Sequence, residues 1–367
     1  MQKKIIALAI AAAFAAPVAM AADGVSIYGS VDAGVRTETY LGKTVTEFGI
    51  PSGTYNSNRL GFKVTEDMGN GMSANVVLES SLAAGTGETA QTKPATTNTD
   101  TASSTAMFDR QATVGVTAGA HSVDLGRQLS VAYKMVGTYD PMAYKFIKIG
   151  YAEAAAIVTR YNNDIAYTGK FGDVTVTAEH NIPAATTTDY ATQGGTPVGD
   201  DSTSTSAVGV SYASGAVNVG GAYSMTKPAA TNNLADTKYY TVGAGFNFGD
   251  GKVSAGYSNN TVSNATADGV TKFVFLGASY NMTPSMGLVA AWYKKTANAV
   301  ASTTETNSTK IVLGGTYALS KKTKMYAEID KQYVDNQSGV PAVSGTTTNG
   351  FAGNDNNGFS LGLQTSF

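Results

Sequence analysis

From Gly24 to Phe367 the chain repeats one unit, a stretch of about ten residues alternating apolar and polar side chains, followed by a connector that is in turn short and long. The last unit displays it plainly: Phe359, Leu361, Leu363, Thr365 and Phe367 share one face, and Gly358, Ser360, Gly362, Gln364 and Ser366 the other. A period of two is the period of an extended strand. Strands of about 9–11 residues that are apolar on one side and polar on the other suit a wall with hydrocarbon outside and water inside. A membrane-spanning strand leaves no backbone group unpaired only if the sheet closes on itself. The pattern therefore predicts a closed transmembrane β-barrel.

The N-terminus precedes this pattern. Lys3 and Lys4 are followed by an apolar run, Ile5 to Ala16, and by Ala19-Met20-Ala21, a small-x-small cleavage site. This reads as a secretory signal peptide over 1–21, with the barrel domain at 22–367. Removing two lysines leaves 23 Lys and Arg against 27 Asp and Glu, a net charge of −4. That balance is too mild to point to nucleic acid. No cysteine is present, so disulfides and thiolate chemistry are excluded. Charged residues make up only 14% of the chain, against about a quarter in soluble domains, and after the signal no apolar run reaches helical membrane-span length.

Sixteen strands are read, at about 25–37, 57–68, 72–83, 107–118, 121–129, 158–168, 173–182, 205–214, 216–226, 237–248, 252–262, 271–282, 286–297, 307–319, 323–335 and 357–367. Seven short connectors carry turn chemistry, such as Gly69-Asn70-Gly71 and Gly249-Asp250-Gly251, and belong at the periplasmic rim. Long connectors rich in Thr, Asn and Ser read as extracellular loops. Tyr28, Phe62, Tyr167, Phe248, Tyr280, Tyr293, Tyr317 and Phe367 stand near strand ends, as in interfacial aromatic girdles. Only two histidines exist, His121 and His180, and they fall at opposite ends of their strands. No nucleophile-base-orienter set and no cluster of metal ligands is visible, so neither an enzyme nor a cofactor is expected.

Several stretches carry a family resemblance. Asn58-Arg59-Leu60-Gly61-Phe62-Lys63 and the residues through Met72 resemble the second strand and first turn of the general bacterial porins. Phe108-Asp109-Arg110-Gln111 through Val116, with Val123 through Gln128, is similar to the hairpin before their third loop. Ser26 through Gly34 is similar to their first strand, and Phe367 to their C-terminal assembly signature. The pattern is closest to the Gram-negative porins of β-proteobacteria.

The resemblance implies an outer-membrane location, a sixteen-stranded antiparallel barrel, a homotrimer, outer-membrane lipid and assembly machinery as partners, and a water-filled bore for passive diffusion of ions and small hydrophilic solutes. It also implies a third loop folded into the bore, at about Leu129–Ile157. Tyr133, Tyr139, Tyr144, Phe146 and Tyr151 suit a packed segment there. By motif, Arg59, Arg110 and Arg160 resemble the basic wall of the constriction and Asp140 the loop's acid. Lys134, Lys145 and Lys148 stand in the same loop, and Lys63 shares the water-facing parity of Arg59. Arg110 conflicts with its strand's parity, because Ala112, Val114 and Val116 share its face. Arg127 shares its parity with Val123 and Leu125, which predicts an interface or rim position with Glu88 as an acidic partner. Since these cations outnumber the acids, a weakly anion-preferring channel is expected. A substrate-selective channel and a surface adhesin or structural barrel are the alternatives.

Overall fold

The computed structural model describes residues 24–40, 43–48, 53–89, 106–146, 157–182, 203–228, 236–263, 267–298, 305–335 and 356–367. Residues 1–21, the loop stretch 92–105, Lys148 and Tyr151 lie outside them. The first half of the chain forms β1 (Gly24–Tyr40), β2 (Lys43–Phe48), β3 (Arg59–Gly69), β4 (Met72–Ser81), β5 (Gln111–Ala118), β6 (His121–Leu129), helix α1 (Val131–Tyr139), β7 (Arg160–Phe171) and β8 (Val174–Asn181). The second half forms β9 (Ser204–Ser214), β10 (Val217–Lys227), β11 (Asp236–Phe248), β12 (Gly251–Ser263), β13 (Asp268–Thr283), β14 (Met286–Asn298), β15 (Glu305–Ala318), β16 (Thr323–Asp335) and β17 (Asn356–Ser366).

Every consecutive pair from β3 to β17 is antiparallel and hydrogen-bonded. β1 closes the sheet, pairing with β3 along its first half and with β17 from Ser30↔Ser366 to Thr39↔Asn357. The Phe367 N–H donates to the Gly29 carbonyl at 3.2 Å and the Gly29 N–H to the Phe367 carbonyl at 3.3 Å, so Phe367 is part of the seam. The wall is thus a sixteen-stranded closed barrel. The seventeenth strand, β2, goes beyond the sixteen read from the sequence. The strand-like alternation simply continues past Thr37, and β2 folds back on the upper half of β1, with Thr37 facing Thr46 and Thr39 facing Thr44 across the pair.

Alternation sorts the faces as the period of two requires. On β11, Tyr240, Val242 and Phe246 are exposed outside while Tyr239 and Thr241 are buried inside. The seven short turns sit at one rim, and Asn70 (φ 52°) and Gly71 (φ 71°) supply the left-handed pair that a two-residue hairpin needs. Two aromatics assigned to the girdles point the other way. Tyr28 and Tyr293 are on inner parity, Tyr28 donating to Glu79 and Tyr293 to Asp140. An aromatic ring satisfies β-propensity on either face, so residue type alone does not distinguish girdle from lining.

Candidate functional site

The inner face is unevenly furnished, and α1 is the reason. Ser130 caps the helix, its hydroxyl accepting from the Tyr133 N–H at 3.1 Å. The Val131 N–H, one of the donors that a helix start leaves unpaired, gives its hydrogen bond to Glu179 on β8 at 2.8 Å. Val131, Ala132, Met135, Val136 and Tyr139 are buried against β8–β12. Close approach is possible because the wall beneath is notched: a Cβ at Gly243 would stand 2.6 Å from the Tyr139 ring, and one at Gly314 would stand 2.5 Å from Phe146. The sequence shows no strand alternation here and its aromatics suit a packed loop; that part of the loop is a helix is not read from it.

Beyond α1 the chain makes a tight turn in which Ala143, Tyr144 and Phe146 all take positive φ, a conformation that costs about 1 kcal/mol or more per non-glycine residue. Asp140 holds it. Its carboxylate accepts from the Tyr144 N–H at 2.7 Å, from the Met142 N–H at 3.3 Å and from the Tyr293 hydroxyl of β14 at 2.6 Å. The side chain is 5% exposed, and burial pushes its carboxyl pKa up against those hydrogen bonds. The acid expected to line the bore is therefore turned into the wall, because its oxygens are taken up by the donors of this turn. Farther on, Phe146 packs edge-on against Tyr55, and Tyr55 stacks on Tyr326 at 5.1 Å. Asp32 fixes the 54–56 segment by accepting from the Tyr55 and Asn56 N–H groups and from the Tyr326 hydroxyl.

The basic candidates fall into separate groups. Arg59, Arg110 and Arg160 meet on the β3–β7 side. The Arg110 Nε lies 2.6 Å from Glu79 Oε1, an Arg59 terminal nitrogen lies 3.8 Å from Oε2, and the Arg160 Nε donates to the Arg110 carbonyl at 2.6 Å. The parity conflict at Arg110 resolves simply. Residues 107–110 form a turn and bend before β5 begins, so Arg110 is not bound by the strand's alternation. Within electrostatic reach of the arginines is Tyr133 of the 130–146 segment, stacked on Tyr144 at 4.2 Å. Burial raises the Tyr133 phenol pKa, while the fields of Arg160, Arg110 and Arg59 oppose that rise.

Lys145 is elsewhere, 2.8 Å from Asn56 Oδ1 and over the Tyr55 ring, which Lys324 also approaches. Burial, reinforced by Arg59 and Lys324, lowers its ammonium pKa to about 8. Lys134 is exposed on α1, within electrostatic reach of Asp124, Asp164 and Glu179. Lys63 is exposed on β3, four residues from Arg59 toward the short-turn rim. Arg127 donates to the Asp109 carbonyl and to Asn162 Oδ1, both at 2.5 Å. His121 contacts the Tyr167 hydroxyl and His180 the Ser206 hydroxyl.

Sequence reading missed Glu79, although it shares the inner parity of Ser73 and Asn75 on β4 and so carried a visible signal. It also missed the seam network in which Arg36 binds Glu38, Glu328 and Asp330 at 2.6–2.9 Å, with Lys310 3.7 Å from Asp330. Those partners come from distant strands, and only closure brings them together.

A closed sixteen-stranded wall with charged inner groups and an apolar outer belt agrees with the comparisons. The model of the family described as Gram-negative porin matches residues 7–339. The chain belongs to that family. It is a porin, a channel of the Gram-negative outer membrane and not an enzyme. Among similar porins, an outer membrane porin protein of Bordetella pertussis is 28% identical over 291 residues, covering 71% of this chain and 70% of the relative. Outer membrane porin protein 32 of Delftia acidovorans is 26% identical over 344 residues, covering 90% and 89%. Among solved structures, the anion-selective porin from Comamonas acidovorans superposes with a TM-score of 0.75 at 22% identity, over 94% of this chain and all of that one. The trimer form of OmpT from Vibrio cholerae gives 0.63 at 14% identity, over 95% of this chain and all of that one.

Proposed function

We propose that this porin is a passive diffusion channel with a weak preference for small anions. Its bore is narrowed by the 130–146 segment, and Arg59, Arg110 and Arg160 form its selective wall. The observation that carries this reading is the imbalance at the gap. Three guanidinium groups gather around one carboxylate, with Arg59 and Arg110 paired to Glu79 and Arg160 bonded to the Arg110 carbonyl, and their fields reach the uncharged Tyr133 of the Tyr133–Tyr144 stack. Asp140 and Asp32 spend their charge inside the protein, on backbone and phenol donors. A net positive, narrow, low-dielectric passage concentrates anions and repels cations. Lys145 adds to that sign at neutral pH, and Lys63 extends it toward the periplasmic rim. Lys134 contributes little, since three carboxylates oppose it. The seam network around Arg36 is buried and internally paired, so it acts weakly on the bore. The Comamonas acidovorans porin is described as anion-selective, which agrees in sign.

We infer further that residues 1–21 are removed on export and that the mature chain assembles as a homotrimer, as the trimer form of OmpT does. Reversal potentials in a KCl gradient across a planar bilayer test the selectivity. Anion preference is expected, and a clear cation preference would overturn it. Saturable block by one solute would favour the substrate-selective alternative.

A further inference from the structure

Building on the reading of Arg59 and Lys145 as gap cations, we propose that Tyr326 and Asp32 are positioning residues that tie the placement of those two cations to closure of the barrel. The bore then takes its width and selectivity only when β17 is seated between β16 and β1. Two side-chain stitches cross that terminal strand. β16 and β1 are not neighbours, since β17 runs between them, with Gly362 facing Tyr326 on one side and Gly34 on the other. Strands two apart in a sheet are separated by about 9–10 Å, a gap that only long side chains bridge, and only where the strand between leaves room. The Tyr326 hydroxyl nonetheless donates to Asp32 Oδ1 on β1 at 2.6 Å. Nearer the long loops, Arg36 of β1 reaches across β17 to Glu328 at 2.9 Å and to Asp330 at 2.7 Å.

The strand between does leave room. Gly358, Ser360 and Gly362 follow one another on the inner face of β17. A Cβ at Gly362 or at Gly34 would collide with the Tyr326 hydroxyl, and one at Gly358 with the Asp330 carboxylate and Arg36. Tyr326, Asp32, Arg36, Glu328 and Asp330 are all buried. Ladder hydrogen bonds hold β17 edge by edge, and the stitches cover its inner face as well. The two stitches differ in what else they touch. Arg36 has its partners Glu38, Glu328, Asp330 and Ser360 on β1, β16 and β17, so that stitch serves closure alone. The Tyr326 stitch ends on a carboxylate that also builds the gap.

Asp32 Oδ2 accepts from the Tyr55 and Asn56 N–H groups at 2.5 and 2.7 Å. Asn56 in turn offers its Oδ1 to both cations, to Lys145 Nζ at 2.8 Å and to a terminal nitrogen of Arg59 at 3.3 Å. Tyr55 holds the end of the 130–146 segment. Its carbonyl accepts from the Phe146 N–H at 2.7 Å, and its ring lies edge-on to Phe146 at 5.0 Å and stacks on Tyr326 itself at 5.1 Å. A guanidinium and an ammonium group on one neutral oxygen repel each other, so they stay together only while the backbone that carries the oxygen is fixed. β1 meets β16 and β17 only in the closed barrel, and closure therefore fixes that backbone. With the seam open, Tyr326 is withdrawn from Asp32 and Tyr55, the 53–58 segment loosens, and Arg59 and Lys145 move apart.

The test compares Y326F, D32N and R36K with the wild type, each as the intact porin in planar bilayers. The temperature at which the folded band is lost on gels measures closure separately. Y326F deletes one oxygen and keeps the ring stacked on Tyr55, so the barrel is expected to fold. It should lower that temperature, make single-channel steps larger and noisier, and reduce the change in reversal potential between pH 7 and 9 by about twofold or more. The pH readout is one that a purely structural role would not move. Burial, Arg59 and Lys324 hold the Lys145 pKa at about 8 against the opposing field of Asp32, and a lysine returned to water keeps its proton at pH 9. D32N should act in the same direction and more strongly, and adding Y326F to D32N should change little further, because both act through one carboxylate. R36K loosens only the second stitch, and should lower the gel temperature while leaving the steps and the pH response unchanged. Unchanged steps and pH response in Y326F, an effect of R36K on the steps equal to that of Y326F, or additive effects of Y326F and D32N would each overturn the proposal. A cation preference in the wild type would strike the selectivity reading instead and leave these differences between variants standing.

Discussion

The two halves of the barrel obey the same alternation and use it differently. β3–β8 are 8–12 residues long and present Arg59, Glu79 and Arg160 to the interior. β11–β16 are 13–16 residues long, and their inner faces carry Tyr239, Phe273, Phe275, Tyr293 and Tyr326, all buried. The short half meets water, whereas the long half meets the 130–146 segment. An inner position in a water-filled barrel is polar by default, so a run of inner aromatics marks where another part of the chain lies on the wall. This is why the β13 alternation reads poorly from sequence. Phe273 and Phe275 are as apolar as Val274 and Leu276 on the opposite face, because both faces are dry.

The largest expected effect breaks the short half. Changing Arg110 and Arg160 together to Gln removes two of the three guanidinium charges and leaves Glu79 opposed by Arg59 alone. The anion preference should vanish or reverse, read as a change of sign or collapse of the reversal potential in a KCl gradient. An unchanged potential would place selectivity elsewhere.

The next effect breaks the long half. Asp140→Ala leaves the Tyr293 hydroxyl and the Tyr144 and Met142 N–H groups without their acceptor, at a cost of about 2–4 kcal/mol. The turn at 143–146 holds its positive φ values through those bonds, so the segment should leave the wall. Single-channel steps should become larger and noisier, while the folded barrel stays heat-resistant on gels. Tyr293→Phe removes only one of the three donors and should give the same change at about a third of the size or less.

A smaller effect sharpens the comparison through pH. Lys145 bridges the two halves, and its pKa of about 8 lies below the ordinary 10.5 because burial, Arg59 and Lys324 disfavour its charge. Raising the pH from 7 to 9 should discharge it and reduce the anion preference modestly, and Lys145→Gln should flatten that slope. Stability should move oppositely. Between about 8 and 10.5 the unfolded chain holds the extra proton, so this group's cost to folding recedes as pH rises through that window. Reversal potentials and unfolding midpoints at both pH values check the two signs.

Much of the architecture was legible before any tertiary contact was known. Strand positions, turn positions and outward faces follow from a period of two and from Asn-Gly and Asp-Gly chemistry, because those signals are local. Arg59 was legible too, through its parity with Gly61 and Lys63. Glu79 carried the same kind of signal and was overlooked. The bend that frees Arg110 was not legible, since alternation says nothing about the residue before a strand. The burial of Asp140 against the wall depends on Tyr293, more than a hundred residues away.

By itself, then, the sequence determined a sealed wall, its two solvents and its sixteen staves, because each depends on neighbours within a few residues. The tertiary structure alone decided which inner charges face the gap and which are consumed by packing. That choice turns on partners from distant strands, and only closure of the barrel sets their distances.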